Sequence, residues 1–373
     1  MVRDQQVLLY QDPMLFGTKT QFSAQFQNNT DGEVQTIEFK QPFTSLDSQN
    51  SWQVRAGHSA FVQSLYDDGS VVNQLNVDNE FASGSFGTSK GRQFVRKRRD
   101  GRNVNRVFRW SAGWSYQHLQ LNTNARFPES MPKPERVFSY PFVALNFLQP
   151  DFIKLSNLQV MEAIEDIDVG HQLRSRIGWA AKAFGSSKDQ LVASADYAKG
   201  WRGGDRFLGL FKTGIDGNAN DEGIENGIAN ATVQNYYFVS PRHSLYTSLN
   251  LVATKKLFEH SQVVLGGATG LRGYPLNFQT GSRRARLTIE HRYFFDWYPL
   301  RLARIGTATF ADVGSAWDKD EDPQWLKDVG LGLRIVGTRQ ADAQVLHLDF
   351  AFPLDETDQI SSFQFVVTAK SQF

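Results

Sequence analysis

Residues 281–295 read GSRRARLTIEHRYFF, and their period is two. The even positions carry Ser282, Arg284, Arg286, Thr288, Glu290 and Arg292. The odd positions between them carry Ala285, Leu287, Ile289, His291, Tyr293 and Phe295. Side chains alternate across a strand, whereas a helix repeats its face every 3.6 residues or so, so this is a strand with one charged and one apolar face. The same split recurs downstream. Val329, Leu331, Leu333 and Ile335 alternate with Gly330, Gly332 and Arg334, and Leu346, Leu348, Phe350 and Phe352 with His347, Asp349 and Ala351. At the end, Phe363, Phe365, Val367, Ala369 and Phe373 oppose Gln364, Thr368, Lys370 and Gln372.

The N-terminal half behaves alike. Phe22, Ala24 and Phe26 oppose Gln21, Ser23, Gln25 and Gln27; Phe108, Trp110, Ala112, Trp114 and Tyr116 oppose Arg109, Ser111, Ser115 and Gln117. Turn pairs punctuate the runs at Asp31-Gly32, Asp68-Gly69, Asp100-Gly101, Gly203-Gly204 and Asp216-Gly217. The series amounts to roughly 16 to 18 runs, one per about 21–23 residues, which suits a transmembrane strand of about 9–11 residues plus its connection. No linker or composition shift interrupts it, so residues 1–373 read as a single domain.

Composition narrows the class. The 373 residues include no cysteine, 8 Trp, 11 Tyr and 29 Phe, and carry a formal charge of +1. Without cysteine there is no disulfide scaffold, no Cys-based zinc site and no thiol nucleophile. The balanced charge argues against nucleic acid as a partner. No apolar run reaches the length of a transmembrane helix. A mean hydropathy of −0.41 does not exclude the membrane, because a barrel averages lipid-facing and lumen-facing residues. A soluble sandwich also alternates. Here, however, the apolar faces are aromatic, and the opposite faces carry Gln, Arg, Ser and Gly rather than a lysine-rich coat. The cluster Phe294-Phe295-Asp296-Trp297-Tyr298 falls where a membrane barrel needs an aromatic girdle. The expected fold is all-β: a transmembrane antiparallel β-barrel of roughly 16 strands. Met1-Val2-Arg3-Asp4-Gln5-Gln6 opens without the apolar core of a signal peptide.

Residues 263–317 contain three ordered motifs: Leu271-Arg272-Gly273-Tyr274, a strand opening with Gly281 and bearing Glu290, and Phe310-Ala311-Asp312-Val313-Gly314. This stretch resembles the C-terminal barrel of the outer-membrane insertase and translocase superfamily, which includes BamA, TamA, the two-partner secretion transporters and the bacterial surface antigen proteins. The resemblance is best over 263–373, and a terminal Phe373 agrees with a barrel-assembly signal. It implies an inward-folded extracellular loop six whose Arg272 pairs with lumen-wall carboxylates, placing Arg272 beside Glu290 and Asp312. Alternation supports this independently, since Glu290 shares a face with Arg284, Arg286 and Arg292, and Asp312 with Gly306, Ala308 and Gly314. On the lipid side lie Leu287, Ile289, Ile305, Thr309 and Val313, where an Arg near the midplane costs about 2–4 kcal/mol. Leu271, Gly273 and Tyr274 complete the latch, Phe310 and Gly314 the wall around it, and Phe363, Phe365, Val367 and Phe373 one side of the seam.

Other candidates are weaker. Gly266-Gly267-Ala268-Thr269-Gly270 mimics a phosphate loop but lacks the GK[ST] ending. Asp216-Gly217-Asn218-Ala219-Asn220-Asp221 begins like a calcium loop, yet Asp221 stands at the glycine position, so a polar loop is the better reading. Arg92, Arg96, Lys97, Arg98, Arg99 and Arg102 form a basic run; on an extracellular loop it would meet lipopolysaccharide phosphates. Gly57-His58-Ser59-Ala60 is a fragment of a nucleophile elbow inside a strand pattern, and no catalytic constellation or cofactor motif emerges.

By resemblance, the expected role is non-enzymatic insertion or translocation of proteins at the outer membrane of a Gram-negative bacterium. The implied partners are the lipid bilayer with lipopolysaccharide, unfolded outer-membrane or secreted clients, and periplasmic POTRA domains or accessory lipoproteins. No POTRA domain is read in these residues. Two alternatives stand beside this: a passive pore, and a membrane anchor or secretion module for an N-terminal domain such as a patatin-like lipase.

Overall fold

The computed structural model describes residues 4–97, 101, 103–127, 134–158, 161, 163–338, 344–355 and 360–370. Its strands are β1 (Gln5–Asp12), β2 (Gln21–Asn29), β3 (Gly32–Gln41), β4 (Asn50–Asp67), β5 (Ser70–Ser89), β6 (Gln93–Lys97), β7 (Asn103–Thr123) and β8 (Glu135–Gln149). A short pair follows, β9 (Phe152–Ser156) and β10 (Ile164–Asp168), and then β11 (His171–Ala180), β12 (Gln190–Gly203), β13 (Phe207–Asn220), β14 (Gly223–Ser240) and β15 (His243–Lys255). A second short pair, β16 (Val263–Leu265) and β17 (Gln279–Gly281), precedes β18 (Arg283–Phe294), β19 (Ala303–Trp317), β20 (Leu326–Gly337), β21 (Val345–Pro353) and β22 (Gln364–Lys370). The helical segments are 3-10 turns of three residues.

Among the described residues eighteen strands form one antiparallel sheet that follows the order of the chain; β9–β10 and β16–β17 are separate two-stranded pieces. β6 and β5 both pair with β7, one with its start and the other with the rest, so they share one place in the wall. The wall therefore has seventeen places, one beyond the roughly sixteen expected. The first place is β1, paired with β2 from Gln5↔Asn29 to Asp12↔Phe22. Among the described residues no ladder joins β22 to β1 or β2. Turn chemistry sets the meander, as at Asp68 and Gly69, whose φ angles of 47° and 73° fit the primed turn that follows strand twist. Two details differ from the sequence reading. Asp216-Gly217 is no turn and no polar loop but lies inside β13, at a register shift between Asp216 and Asn218. Gly281 ends β17, and the long strand bearing Glu290 starts at Arg283.

Burial is inverted relative to a soluble protein. Leu331, Phe350, Phe365 and Val367 are 49–59% exposed, whereas Glu290, Arg292, Asp312, Arg334 and Asp349 are at most 4% exposed. A sandwich buries its aromatic face; this wall turns that face outward and its charges inward, as a membrane barrel must.

Candidate functional site

The connection between β15 and β18, residues 256–282, folds inward as loop six. Gln262 holds its root, with Nε2 donating to the Tyr66 carbonyl at 3.1 Å and Oε1 accepting from the Tyr66 amide at 2.8 Å. The glycines of 266–270 serve conformation: Gly266, Gly267 and Gly270 have φ of 130°, 56° and 129°, which side chains resist. At the tip Leu271 is fully buried, packed with Leu265, Tyr274, Phe278, Ala316 and Leu326. Gly314 is part of this seat, because a Cβ there would meet Leu265 at 3.1 Å.

Arg272 then enters the lumen. Its Nε and Nη2 donate to the two oxygens of Asp312 at 2.8 and 3.2 Å, a two-pronged contact. Its Nη1 donates to Glu290 at 3.1 Å and lies 3.5 Å from Asp349. The guanidinium carbon sits 3.3 Å from the centre of the Phe310 ring, adding a cation–π contact to the ion pairs. That ring occupies space left by Gly330, its neighbour across the β19–β20 ladder. Gly273 donates its amide to Asp328 at 3.1 Å, and a Cβ on it would fall 2.6 Å from Asp328 Cβ and 3.0 Å from the Pro353 nitrogen. The Tyr274 hydroxyl is 2.7 Å from the Asp355 carboxylate and accepts from the Lys327 amide at 3.2 Å. Burial, with Asp355 beside it, pushes this hydroxyl above the usual tyrosine range, so it remains neutral.

The network is wider than the sequence reading. Arg334, fully buried, donates to Asp349 at 2.5 Å, and Arg292 Nε donates to Glu290 at 2.9 Å. Arg292 also stacks over Tyr246, 4.1 Å from its ring centre. Arg334 and Asp349 were legible only as members of the polar face; that Asp349 reaches Arg272, and Arg334 reaches Asp349 and Glu290, depends on strand register. Phe363, Phe365 and Val367 line up on the lipid side at or just before β22, and Phe373 lies outside the described residues.

Three other candidates resolve. Gly57-His58-Ser59-Ala60 lies inside β4. No group of three metal-binding side chains occurs among the described residues, and Asp216 sits on a wall strand. The basic run follows β5, at the end of the wall away from loop six, since the β4–β5 turn at Gly69 lies against Pro275 of that loop. Lipopolysaccharide contact required the loop-six side, so this expectation is corrected. Arg92 instead donates to Asp47 at 2.7 Å; Arg98, Arg99 and Arg102 are outside the described residues.

The BamA of Haemophilus ducreyi lacking POTRA domains 1–3 superposes over 98% of this chain and 70% of its own, with a TM-score of 0.51 and 12% identity. The chain has the fold of a BamA-type barrel. CdiB from Escherichia coli aligns over 90% of this chain and 58% of its own (TM-score 0.41, 12% identity). CdiB from Acinetobacter baumannii aligns over 98% and 64% (TM-score 0.37, 13% identity). No protein-family model and no curated protein matches the sequence. At 12% identity the BamA likeness is one of fold.

Proposed function

We propose that the chain is an outer-membrane barrel of a Gram-negative bacterium that inserts or translocates proteins without catalysis or ATP. The observation that supports it most is Arg272, carried by a loop into the lumen and held there by Asp312, Glu290 and Asp349 on a BamA-type wall. A buried arginine with three carboxylates is costly to build and is fixed in geometry, which suits a latch holding loop six and the β18–β21 wall as a unit. The working edge is the seam between β22 and the N-terminal strands, where unpaired backbone groups template an incoming strand. Phe363, Phe365 and Val367 line its C-terminal side. Partners of this role are unfolded outer-membrane or secreted clients, the bilayer with its lipopolysaccharide, and POTRA domains or accessory lipoproteins on the periplasmic side.

The test uses liposomes with and without the folded protein, to which a urea-unfolded eight-stranded outer-membrane barrel is added. Insertion, read as the heat-modifiable band of that client, should run faster with this protein and slow again with Arg272→Ala. Equal rates in all three preparations would refute the proposal.

A further inference from the structure

The connection from β8 to β11 leaves the wall and does not stay at its rim. β9 and β10 pair from Phe152↔Asp168 to Ser156↔Ile164. The hairpin is internally fixed: Asp168 Oδ1 accepts from the amides of Asp151 and Gly170, both at 2.8 Å. It is apolar where it meets the barrel. Ile153, Leu158 and Val169 form a buried cluster with Leu208 of β13 and Tyr236 of β14. Asn157 Nδ2 donates to the Pro241 carbonyl on the β14–β15 turn at 3.1 Å. Farther on, Met161, 5% exposed, is buried with Phe294 of β18, Val336 of β20 and Val345 of β21. Those three lie on the lumen face, in step with Arg292, Arg334 and His347. The segment therefore starts between β8 and β11 and reaches strands on the far side, crossing the mouth at the end opposite loop six.

We propose that β9 and β10, with Leu158, Met161 and Val169, form a lid that shuts the lumen at that end, making a closed chamber with loop six rather than an open channel. The seat is almost wholly apolar, so closing it buries side chains that would otherwise stand in a water-filled mouth. Tyr236 belongs to the seat and also packs on Tyr246, with ring centres 4.9 Å apart, directly under Arg292. The lid thus rests on the side chains that hold Glu290 toward Arg272. The inference requires only the barrel reading, not the insertion role.

The absence of cysteine allows two direct tests on the refolded full chain. Met161→Cys with Val345→Cys should form a disulfide under mild oxidation in the SDS-resistant barrel; failure to form it overturns the seat. Second, Ser248→Cys places a thiol in the chamber beneath loop six. Its rate of labelling by a bulky, membrane-impermeant maleimide should rise about tenfold or more when Met161→Asp is added, a carboxylate that the apolar seat rejects. Met161→Leu should leave the rate unchanged. Leu158→Asp, in the other cluster, repeats the test should Met161→Asp lose its SDS-resistant band. Equal labelling with the apolar and charged lids would overturn the proposal.

Discussion

Arg272 answers to three carboxylates on three strands, and its removal takes from Asp312 the guanidinium that meets both its oxygens, while Glu290 and Asp349 keep Arg292 and Arg334. Truncating one partner of a buried ion pair costs about 3–5 kcal/mol, so Arg272→Ala should lower the temperature at which the SDS-resistant band disappears. Arg272→Lys should recover only part of the loss, because an ammonium cannot span both oxygens of Asp312. Gly273→Ala should destabilise by about 1–3 kcal/mol, since its Cβ meets Asp328 and the Pro353 backbone; a wild-type melting profile would contradict that contact. Arg272 was readable because Leu271-Arg272-Gly273-Tyr274 resembles the loop-six motif of the insertase and translocase superfamily, and Glu290 and Asp312 because two-residue alternation assigns these wall carboxylates to the lumen. Asp349 and Arg334 carried the same signature. Nothing local says that Asp349 meets Arg272 or that Arg334 meets Asp349, because inter-strand register is settled by pairing between β20 and β21 and not within either.

At the scale of elements, alternation located the long strands and their faces. On β22, Val367→Arg puts a charge on the lipid face and should cost about 2–4 kcal/mol. Gln364→Arg, on the lumen face of the same strand, should change stability by only about 0.5 kcal/mol. Folding yield in lipid vesicles compares the two, and equal yields would contradict the assigned faces. The pattern was silent on elements that leave the wall. β9 and β10 are five residues each, too short to span. In β10, Ile164 shares one face with Asp166 and Asp168, and Ile167 the other with Glu165, so no apolar face announces it. Asp216-Gly217 misled in the opposite sense: a pair typical of turns is tolerated within β13, where the strand bulges.

For the molecule as a whole, the inside-out distribution of polarity accounts for the modest hydropathy. Aromatic and aliphatic side chains coat the wall, and loop six and the charged network lie inside it. A fold this cooperative should show its latch as a coupled unit. The most direct measurement is a double-mutant cycle on Arg272→Ala and Asp312→Ala, reading the temperature at which the unboiled, compact SDS-gel band is lost. The account predicts a compact wild-type band, a clear fall for each single variant, and a double variant hardly worse than Arg272→Ala alone, because the paired charges act together. No compact wild-type band, or two losses that simply add, would contradict it.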